Sequence, residues 1–429
     1  MDIPQKFLDY IAEPVKREID YKKVSKFDFY LSQEKAKEDF EYFKYIMDNA
    51  YSGKDYFEKL GINFNDNYKK IEAYIQSCEK IDKDDLCTAY YNAFKGIHDG
   101  HLAFISSNLG WASFQKKYSA YFSDIILEKQ KNNYIVAQSK IDIIKIGETV
   151  ICSDENLFET FSPQGKSLYL YGIRSWEEIE NIKINISNRF ISIPVHKCKA
   201  SLYLSTVKEH FSSVDIDGIS VLETPTFSFG SGYDESIAQE LLLQGEKLKN
   251  VEIVIWNLLS NGGGASNYPM SFIKGLNDYS HWEINMGMLQ SPVITQSTEN
   301  ENQIFFRDWK FFLSEPYDLS NAKYDGTLFV LINSNVASSG EAAVAYSTSV
   351  IKRIFIGENT AGCGTFGDTF TYQLPYSEMK MKVPFKIFLG MGKEGEGFTP
   401  DFWVDNEDVQ SETIRWINNP ETYMPYQSE

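Results

Sequence analysis

The first hundred residues show the hydrophobic spacing that is typical of α-helices. Phe40, Phe43 and Met47 recur three and four positions apart, so they share one face of a predicted helix. The stretch 86–97 repeats this spacing, and its acidic start is typical of a helix N-terminus. The sequence therefore predicts an N-terminal helical domain over residues 1–101, a cap packed on a larger domain.

The pattern changes to alternation of apolar and polar positions in the next hundred residues. Ile182, Ile184 and Ile186 alternate with polar side chains, as in a half-buried β-strand. A second alternating run follows at 190–195 after a Ser-Asn-Arg turn. The pattern predicts a small β-rich insert over residues 102–216.

Residues 217–429 alternate buried strands with helices, which predicts a third domain. The predicted strands are 218–224, 251–257, 326–333 and 353–357, and the predicted helices are 234–249 and 339–352. A strand–helix–strand succession implies parallel strands joined by right-handed crossovers. Loops that leave the carboxyl ends of such strands are the usual place for a functional site.

Acidic residues outnumber basic ones, 60 against 42, which gives a formal net charge of −18. Nucleic-acid binders need a basic surface that neutralises phosphates, and docking on anionic membranes needs one too. The sequence therefore predicts no nucleic-acid partner and no membrane partner. If a substrate cleft shares this charge, basic or neutral ligands should enter it more readily than acidic ones.

Length and cysteine content further limit the kinds of protein that this sequence can encode. At roughly 150 residues per domain, 429 residues predict two or three domains. No apolar run approaches the ~20 residues of a membrane helix, and the N-terminus lacks the pattern of a secretory signal. Five cysteines without a CxxC motif favour neither a disulfide framework nor a zinc site. We therefore expect a cytoplasmic protein that needs no metal or cofactor, and the oligomeric state stays open.

A glycine-rich loop follows the predicted strand 251–257. Gly262, Gly263 and Gly264 let the backbone approach another group closely, and their N–H groups would be free to face a cleft. The alternative is a tight strand-to-helix turn without a ligand. A phosphate-binding loop is disfavoured, because no Gly-Lys-Ser/Thr sequence follows.

A serine pair marks the next strand-to-helix junction. Ser338 and Ser339 follow the predicted strand 326–333 and stand at the start of the predicted helix. The helix dipole and the unsatisfied N–H groups at this end favour a developing negative charge. A simple helix cap explains the same residues, so both interpretations are open from this loop alone.

Two further segments carry candidate residues. His101 ends an Asp-Gly-His turn just before a predicted strand, although a lone histidine is more often structural than catalytic. Glu394 opens the segment EGEGFTPD, which on its own indicates a flexible acidic turn. The GxGxxG match at 362–367 is misleading, because a dinucleotide site requires a following helix and a strand is predicted there. Within this match, Cys363 has no adjacent basic partner, so it is not the expected nucleophile.

Taken in chain order, these motifs resemble those of one enzyme family. The strand with NGGG, the NxxASSGE segment before a helix, the IGExTxG segment and the final EGxGFxPD are similar to the tail-specific or C-terminal-processing serine peptidases. That family includes the tricorn-core peptidases and the retinoid-binding-protein repeats. The resemblance covers residues 217–405 and the Asp-Gly-His turn. It implies an α/β fold, a ClpP/crotonase-like spiral of βαβ units, with the insert as a degenerate PDZ-like module or another small β domain.

The resemblance assigns roles to the serine pair and to the glycines. In the family's S-x-[SAG]-E pattern, the nucleophile lies three residues before the glutamate. With Glu341 in that place, the nucleophile is Ser338. The N–H of Ser339 is then one oxyanion donor, and the second comes from Gly263 or Gly264.

The general base distinguishes two branches of the family. The processing peptidases use a Ser–Lys dyad, but Cys363 occupies the position of that lysine here, and a thiol cannot replace the amine. The tricorn-like branch uses Ser, His and Glu, and His101 and Glu394 match its histidine and its acid. The implied mechanism is attack by Ser338 with His101 as base, through an acyl-enzyme that water hydrolyses.

The sequence also departs from the family at two other places. Asn257-Leu258-Leu259 stands where Asp-Leu-Arg is usual, and Gly100 stands where a serine is common. The favoured function is a serine peptidase acting on peptides or unfolded protein. The alternatives are a hydrolase of small acyl compounds with the same triad, a catalytically inactive ligand-binding relative, and a crotonase-like acyl-CoA enzyme.

Overall fold

The computed structural model describes most of the chain. It covers residues 29–162, 167–207, 210–229, 233–281, 284–297, 307–315, 318–391 and 394–419. The part of the helical prediction that falls on residues 1–28 lies outside this set. Within it, no helix has the length and apolarity needed to cross a bilayer.

The α-helices of the described residues begin and end as follows. They are α1 (Gln33–Asn49), α2 (Gly53–Lys59), α3 (Phe64–Ser77), α4 (Lys83–Phe94), α5 (Glu235–Leu248), α6 (Asn267–Asn277), α7 (Pro292–Ser297), α8 (Ser339–Ser347) and α9 (Val409–Ile417). Several begin at a side-chain cap: Ser32, Asn63 and Asp82 accept N–H bonds at the starts of α1, α3 and α4.

The strands of the described residues fall into two chain regions. The first region holds β1 (Tyr30–Ser32), β2 (Lys80–Asp82), β3 (Asp99–Ser106), β4 (Gly110–Phe114), β5 (Ser119–Gln130), β6 (Asn133–Ser139), β7 (Thr149–Ile151), β8 (Leu157–Phe161), β9 (Ser167–Ser175), β10 (Asn181–Ile186), β11 (Arg189–Pro194) and β12 (His196–Lys197). The second holds β13 (Ser212–Ile216), β14 (Ile219–Glu223), β15 (Ile253–Asn257), β16 (Asn285–Gln290), β17 (Asp308–Phe312), β18 (Thr327–Ile332), β19 (Arg353–Gly357), β20 (Phe366–Gln373), β21 (Lys380–Leu389) and β22 (Phe402–Trp403). The protein is therefore a mixed α/β fold with several sheets.

The chain divides into two compact units, each built from three segments. Unit 1 consists of Met1–Lys116, Ile284–Glu315 and Cys363–Gly395, and unit 2 consists of Lys117–Glu283, Pro316–Gly362 and Glu396–Glu429. The division into 1–101, 102–216 and 217–429, which follows sequence pattern alone, stays a prediction.

Unit 1 packs helices on an antiparallel sheet. The strand order is β17-β16-β21-β3-β4, and β20 also pairs with β21. Phe43 of α1 stacks on Tyr90 of α4 with ring centroids 4.4 Å apart and meets Phe104 of β3 edge-on at 5.5 Å. Because these rings are buried, they fix the helices against the strand that carries His101. The helical face predicted for α1 is confirmed by this burial.

Unit 2 contains the parallel sheet that the sequence pattern predicts. Its order is β13-β14-β15-β18-β19-β22, and all neighbours after β13 run parallel. Along β15, Trp256 packs with α5, α6 and α8, whereas Ile255 packs on the opposite face with α9. Both faces are covered, which explains the nearly continuous apolar runs of these strands.

A second, antiparallel sheet of unit 2 accounts for most of the predicted β-rich insert. Its order is β11-β10-β7-β6-β5-β9-β8, and β12 pairs with β5. Its strand β7 is short, covering only Thr149–Ile151. The early part of the insert region differs, because β3 and β4 pair within the sheet of unit 1.

Candidate active site

Ser338 lies at the junction of β18 and α8 in a backbone conformation that side chains rarely adopt. Its φ is 53° and its ψ is −118°, and its side chain makes no cap bond to the helix. A residue with a β-carbon pays for such a conformation with about 1–3 kcal/mol of strain, and such strain clusters at functional sites. The helix-cap interpretation is therefore not supported by the geometry of Ser338.

The glycine-rich loop comes close to Ser338. A β-carbon at Gly263, where φ is 105°, would lie 2.8 Å from the Cβ of Ser338, so no larger residue fits without displacing this junction. Asn261 ties the two loops together, since its carbonyl accepts the N–H of Ala337 at 3.0 Å and its side chain donates to the carbonyl of Thr224 at 2.7 Å. The close approach that the glycines imply is confirmed here.

The backbone donors around Ser338 differ in their availability. The N–H of Gly263 donates to Oδ1 of Asn261 at 3.0 Å and is therefore engaged. The N–H groups of Gly264 and Ser339 donate to no acceptor within the described ranges. The hydroxyl of Ser339 instead donates to the carbonyl of Gly264 at 2.7 Å, which holds these two residues together. Two free donors thus lie on the two loops that meet at the serine.

Glu341 connects α8 with the loop after β19. Its side chain is fully buried, and its Oε1 accepts the hydroxyl of Thr360 at 2.5 Å and the N–H of Gly362 at 2.9 Å. Thr360 in turn donates its N–H to the carbonyl of Phe398 at 2.9 Å, and its hydroxyl oxygen accepts the N–H of Phe398 at 2.8 Å. Three of the motifs that sequence analysis found separately, which contain Glu341, Thr360 and Phe398, therefore form one hydrogen-bonded network.

His101 lies within β3, not on a turn before the strand as the sequence suggests. The pairing of β3 with β4 shifts register between Asp99 and Ala103, so His101 occupies an irregular part of the ladder. The buried carboxylate of Asp99 holds this bulge, because its Oδ1 accepts the N–H groups of His101 at 2.7 Å and Leu102 at 3.0 Å. Its Oδ2 accepts the hydroxyl of Tyr51 at 2.9 Å.

Electrostatics keep His101 neutral near pH 7. The pKa of this imidazole is lowered to about 4, chiefly by burial and also by the nearby positive charge of Lys382, while Asp368 opposes the shift. Burial raises the pKa of the neighbouring Asp99 to about 6. A neutral imidazole is the form that accepts a proton from a nucleophile.

Glu394 bridges two backbone segments of unit 1. Its Oε1 accepts the N–H of Gly100 at 2.9 Å, and its Oε2 accepts the N–H of Thr365 at 3.1 Å. The carboxylate is thus bonded to the residue immediately before His101. The orienting bond to the imidazole that the family resemblance implies stays a prediction.

The predicted site residues fall into two groups by unit. Ser338, Ser339, Gly263 and Gly264 come together in unit 2, whereas His101 and Glu394 belong to unit 1. No set of three His, Cys, Asp or Glu side chains among the residues described here could hold a metal ion.

Sequence reasoning missed the polar residues that support these groups. The Asp of Asp-Gly-His could have been recognised as a backbone clamp, but nothing near Tyr51 in the sequence indicates its bond to Asp99. Asn257, which replaces the family's aspartate, donates from Nδ2 to the hydroxyl of Tyr203 at 3.1 Å and to Oε1 of Gln410 at 2.9 Å. Asn257 is therefore part of a neutral side-chain network at the end of β15.

Comparison with known proteins finds one similar sequence. The chain is 23% identical over 337 residues to a tail-specific protease of Haemophilus influenzae. The aligned region is 72% of this chain and 44% of that protein, so the chain spans less than half the length of the curated relative it matches. No protein-family model matches the chain.

Several solved structures align with most of this chain at low sequence identity. Mature CPAF shares 12% identity over 90% of this chain and 97% of its own, with a TM-score of 0.49. A putative peptidase from Parabacteroides merdae shares 14% over 88% and 95%, with a TM-score of 0.49. The photosystem II D1 C-terminal processing protease shares 13% over 91% and 98%, with a TM-score of 0.43. The likeness therefore depends on the sequence match and on the ordered motifs, in both of which the chain is similar to tail-specific proteases.

Proposed function

We propose that this protein is a serine-type peptidase that hydrolyses peptide bonds in peptides or unfolded proteins. The observation that carries the proposal is the strained backbone of Ser338 at the start of α8, next to free N–H donors. A strained serine at a strand-to-helix junction presents its hydroxyl outward, as hydrolytic serines do. The tail-specific protease match supports the same activity.

The proposed mechanism assigns one role to each group. Ser338 attacks the scissile carbonyl, and His101 accepts its proton and returns it to the leaving amine. Glu394 orients the imidazole and stabilises its protonated form. Water then hydrolyses the acyl-enzyme. The lowered pKa of His101 supports this role, since the base is neutral at pH 7.

The oxyanion would be stabilised by two backbone donors. Ser339 supplies one N–H, and of the two glycines Gly264 is the better candidate for the second, because the N–H of Gly263 is bonded to Asn261. Donors of this kind contribute roughly 10²–10³ in rate each.

The fold around this site supports two finer proposals. The parallel strands β14, β15, β18, β19 and β22 with α5, α6 and α8 fit a ClpP/crotonase-like spiral of βαβ units. The antiparallel sheet from β5 to β12 corresponds to most of the predicted β-rich insert. We propose that this sheet is a degenerate PDZ-like module.

Covalent labelling tests the function. A fluorophosphonate probe should label the wild type and the Ser320→Ala control, which removes an exposed hydroxyl of the same unit, but not Ser338→Ala. Equal labelling of all three would refute Ser338 as the nucleophile. A labelled enzyme that cleaves esters or thioesters but no peptide would instead favour the acyl hydrolase.

A further inference from the structure

Gly100, the residue before His101, has a spatial rather than a conformational reason to be glycine. Its φ does not lie in the positive range, so its backbone conformation is open to other residues. A β-carbon built on Gly100, however, would lie 2.5 Å from the Cβ of Cys363. Contacts shorter than 3.0 Å between such atoms do not persist, so one of the two segments would have to move. The sulfur of Cys363 would lie at an ordinary 3.5 Å, which identifies the Cβ as the atom in conflict.

Both segments at this contact are fixed by the same carboxylate. Glu394 accepts the N–H of Gly100 with Oε1 and the N–H of Thr365, two residues after Cys363, with Oε2. Cys363 is buried, with 5% of the residue exposed, so it has little room to move aside. Displacement of Gly100 would therefore be transmitted to His101, the next residue along the bulged strand.

We propose that Cys363 is a positioning residue for His101, and that Gly100 and Cys363 form a size-matched pair. The side chain of Cys363 packs against the bare backbone of Gly100 and sets the position of the strand segment that carries the base. The two departures from the family pattern, glycine before the histidine and cysteine in place of lysine, are then one coupled change. This proposal rests on the proposed function.

A double-mutant cycle with two replacements at position 363 tests the pair. The single variants are Gly100→Ala, Cys363→Ala and Cys363→Gly, and each replacement of Cys363 is also combined with Gly100→Ala. Gly96→Ala is the matched control, because Gly96 lies four residues earlier, has no positive φ, and a β-carbon there meets nothing within 4 Å. Readouts are the rate of fluorophosphonate labelling, kcat and KM on a peptide, and the thermal midpoint.

We expect Gly100→Ala to lower kcat about 10²-fold with KM unchanged, as a displaced base would do, while Gly96→Ala matches the wild type. Cys363→Gly should recover at least tenfold of that loss, because it removes the conflicting Cβ. Cys363→Ala, which keeps the Cβ, should recover less than twofold. If Gly100→Ala does not fold, the thermal midpoints of the double variants provide the test. The variant with Cys363→Gly should fold, and the variant with Cys363→Ala should not.

Three outcomes would overturn the role of Cys363. The first is that the wild type is labelled and Gly100→Ala is as active as the wild type. The second is that glycine and alanine at position 363 recover activity equally, and the third is that neither recovers it. A wild type whose Ser338 is not labelled would refute the proposed function, and the role of Cys363 in it as well.

Discussion

His101 combines burial with a neighbouring ammonium group, and both disfavour its protonated form. The pKa of the imidazole is lowered from 6.5 to about 4. Because the base must be neutral, we expect the acid limb of kcat/KM to fall near pH 4 instead of near pH 6.5. A pH–rate profile measures this, and an acid limb at pH 6 or above would contradict the environment described for His101.

The charges near His101 allow the direction of this shift to be tested. Lys382→Met removes the positive charge but keeps an apolar stem over the ring of Trp111, where the ammonium lies 5.0 Å from the ring centre. The pKa of His101 should then rise, because Lys382 lowers it, and the acid limb should move to higher pH. Asp368→Asn should move the limb in the opposite direction. Shifts of the same sign in both variants would exclude these charges as the cause.

Strain at Ser338 predicts an unusual effect on stability. Ser338→Gly and Ser338→Ala both remove the hydroxyl, but only glycine adopts a φ of 53° without a steric penalty. The free energy of unfolding of Ser338→Gly should therefore exceed that of Ser338→Ala by about 1–3 kcal/mol. Urea unfolding of the two variants measures the difference, and equal stabilities would argue against strain at this residue.

At the scale of single elements, the loop before α8 is held by a titratable group. Glu358, at the end of β19, is fully buried, and its Oε2 accepts the N–H of Ser334 at 3.4 Å. Lys117 donates to the carbonyl of Ser334 at 2.6 Å. Burial raises the pKa of Glu358 from 4.5 to about 7. The neutral carboxyl is thus favoured by folding.

The sign of this shift gives a stability prediction. Because the pKa of Glu358 is higher in the folded protein, its neutral carboxyl stabilises the folded state. This stabilisation is fully present below pH 4.5 and is lost as the pH rises through about 7. Glu358→Gln keeps the shape of the side chain without its charge. The free energy of unfolding of this variant minus that of the wild type should therefore increase by about 1–3 kcal/mol between pH 5 and pH 8. Denaturant titrations at both pH values measure this, and an unchanged difference would contradict it.

The spacing of apolar residues predicted the elements whose buried faces are local in sequence. It missed the features that are held by hydrogen bonds between residues far apart in the chain. The parallel strands and the loops at their ends follow from local apolar runs. The bulge at His101 does not, because the carboxylate of Asp99 that holds it also accepts the hydroxyl of Tyr51, which is far away in sequence. The same holds for the side-chain amides of Asn333 and Asn335, which donate to the carbonyls of Ala200 and Ser201 at 2.9 Å.

At the scale of the whole molecule, the net charge of −18 predicts a substrate preference. A basic peptide should have a higher kcat/KM than an acidic peptide of the same length, because the field of the protein concentrates cations. The difference should shrink as salt is added, since screening acts beyond about 8 Å at physiological ionic strength. A neutral peptide is the control. Faster cleavage of the acidic peptide would refute this preference.

The pairing of β3 with β21 has a consequence for synthesis on the ribosome. Phe104 of β3 lies in register with Met381, so the strand that carries His101 gains this neighbour only after nearly the whole chain has been made. The loop of Ser338 and the parallel strand β18 are complete well before that. Such long-range pairing is slow to form. A nascent or truncated chain would therefore carry the proposed nucleophile while the strand of the proposed base is still unpaired, so under the proposed function activity would begin only after translation has ended.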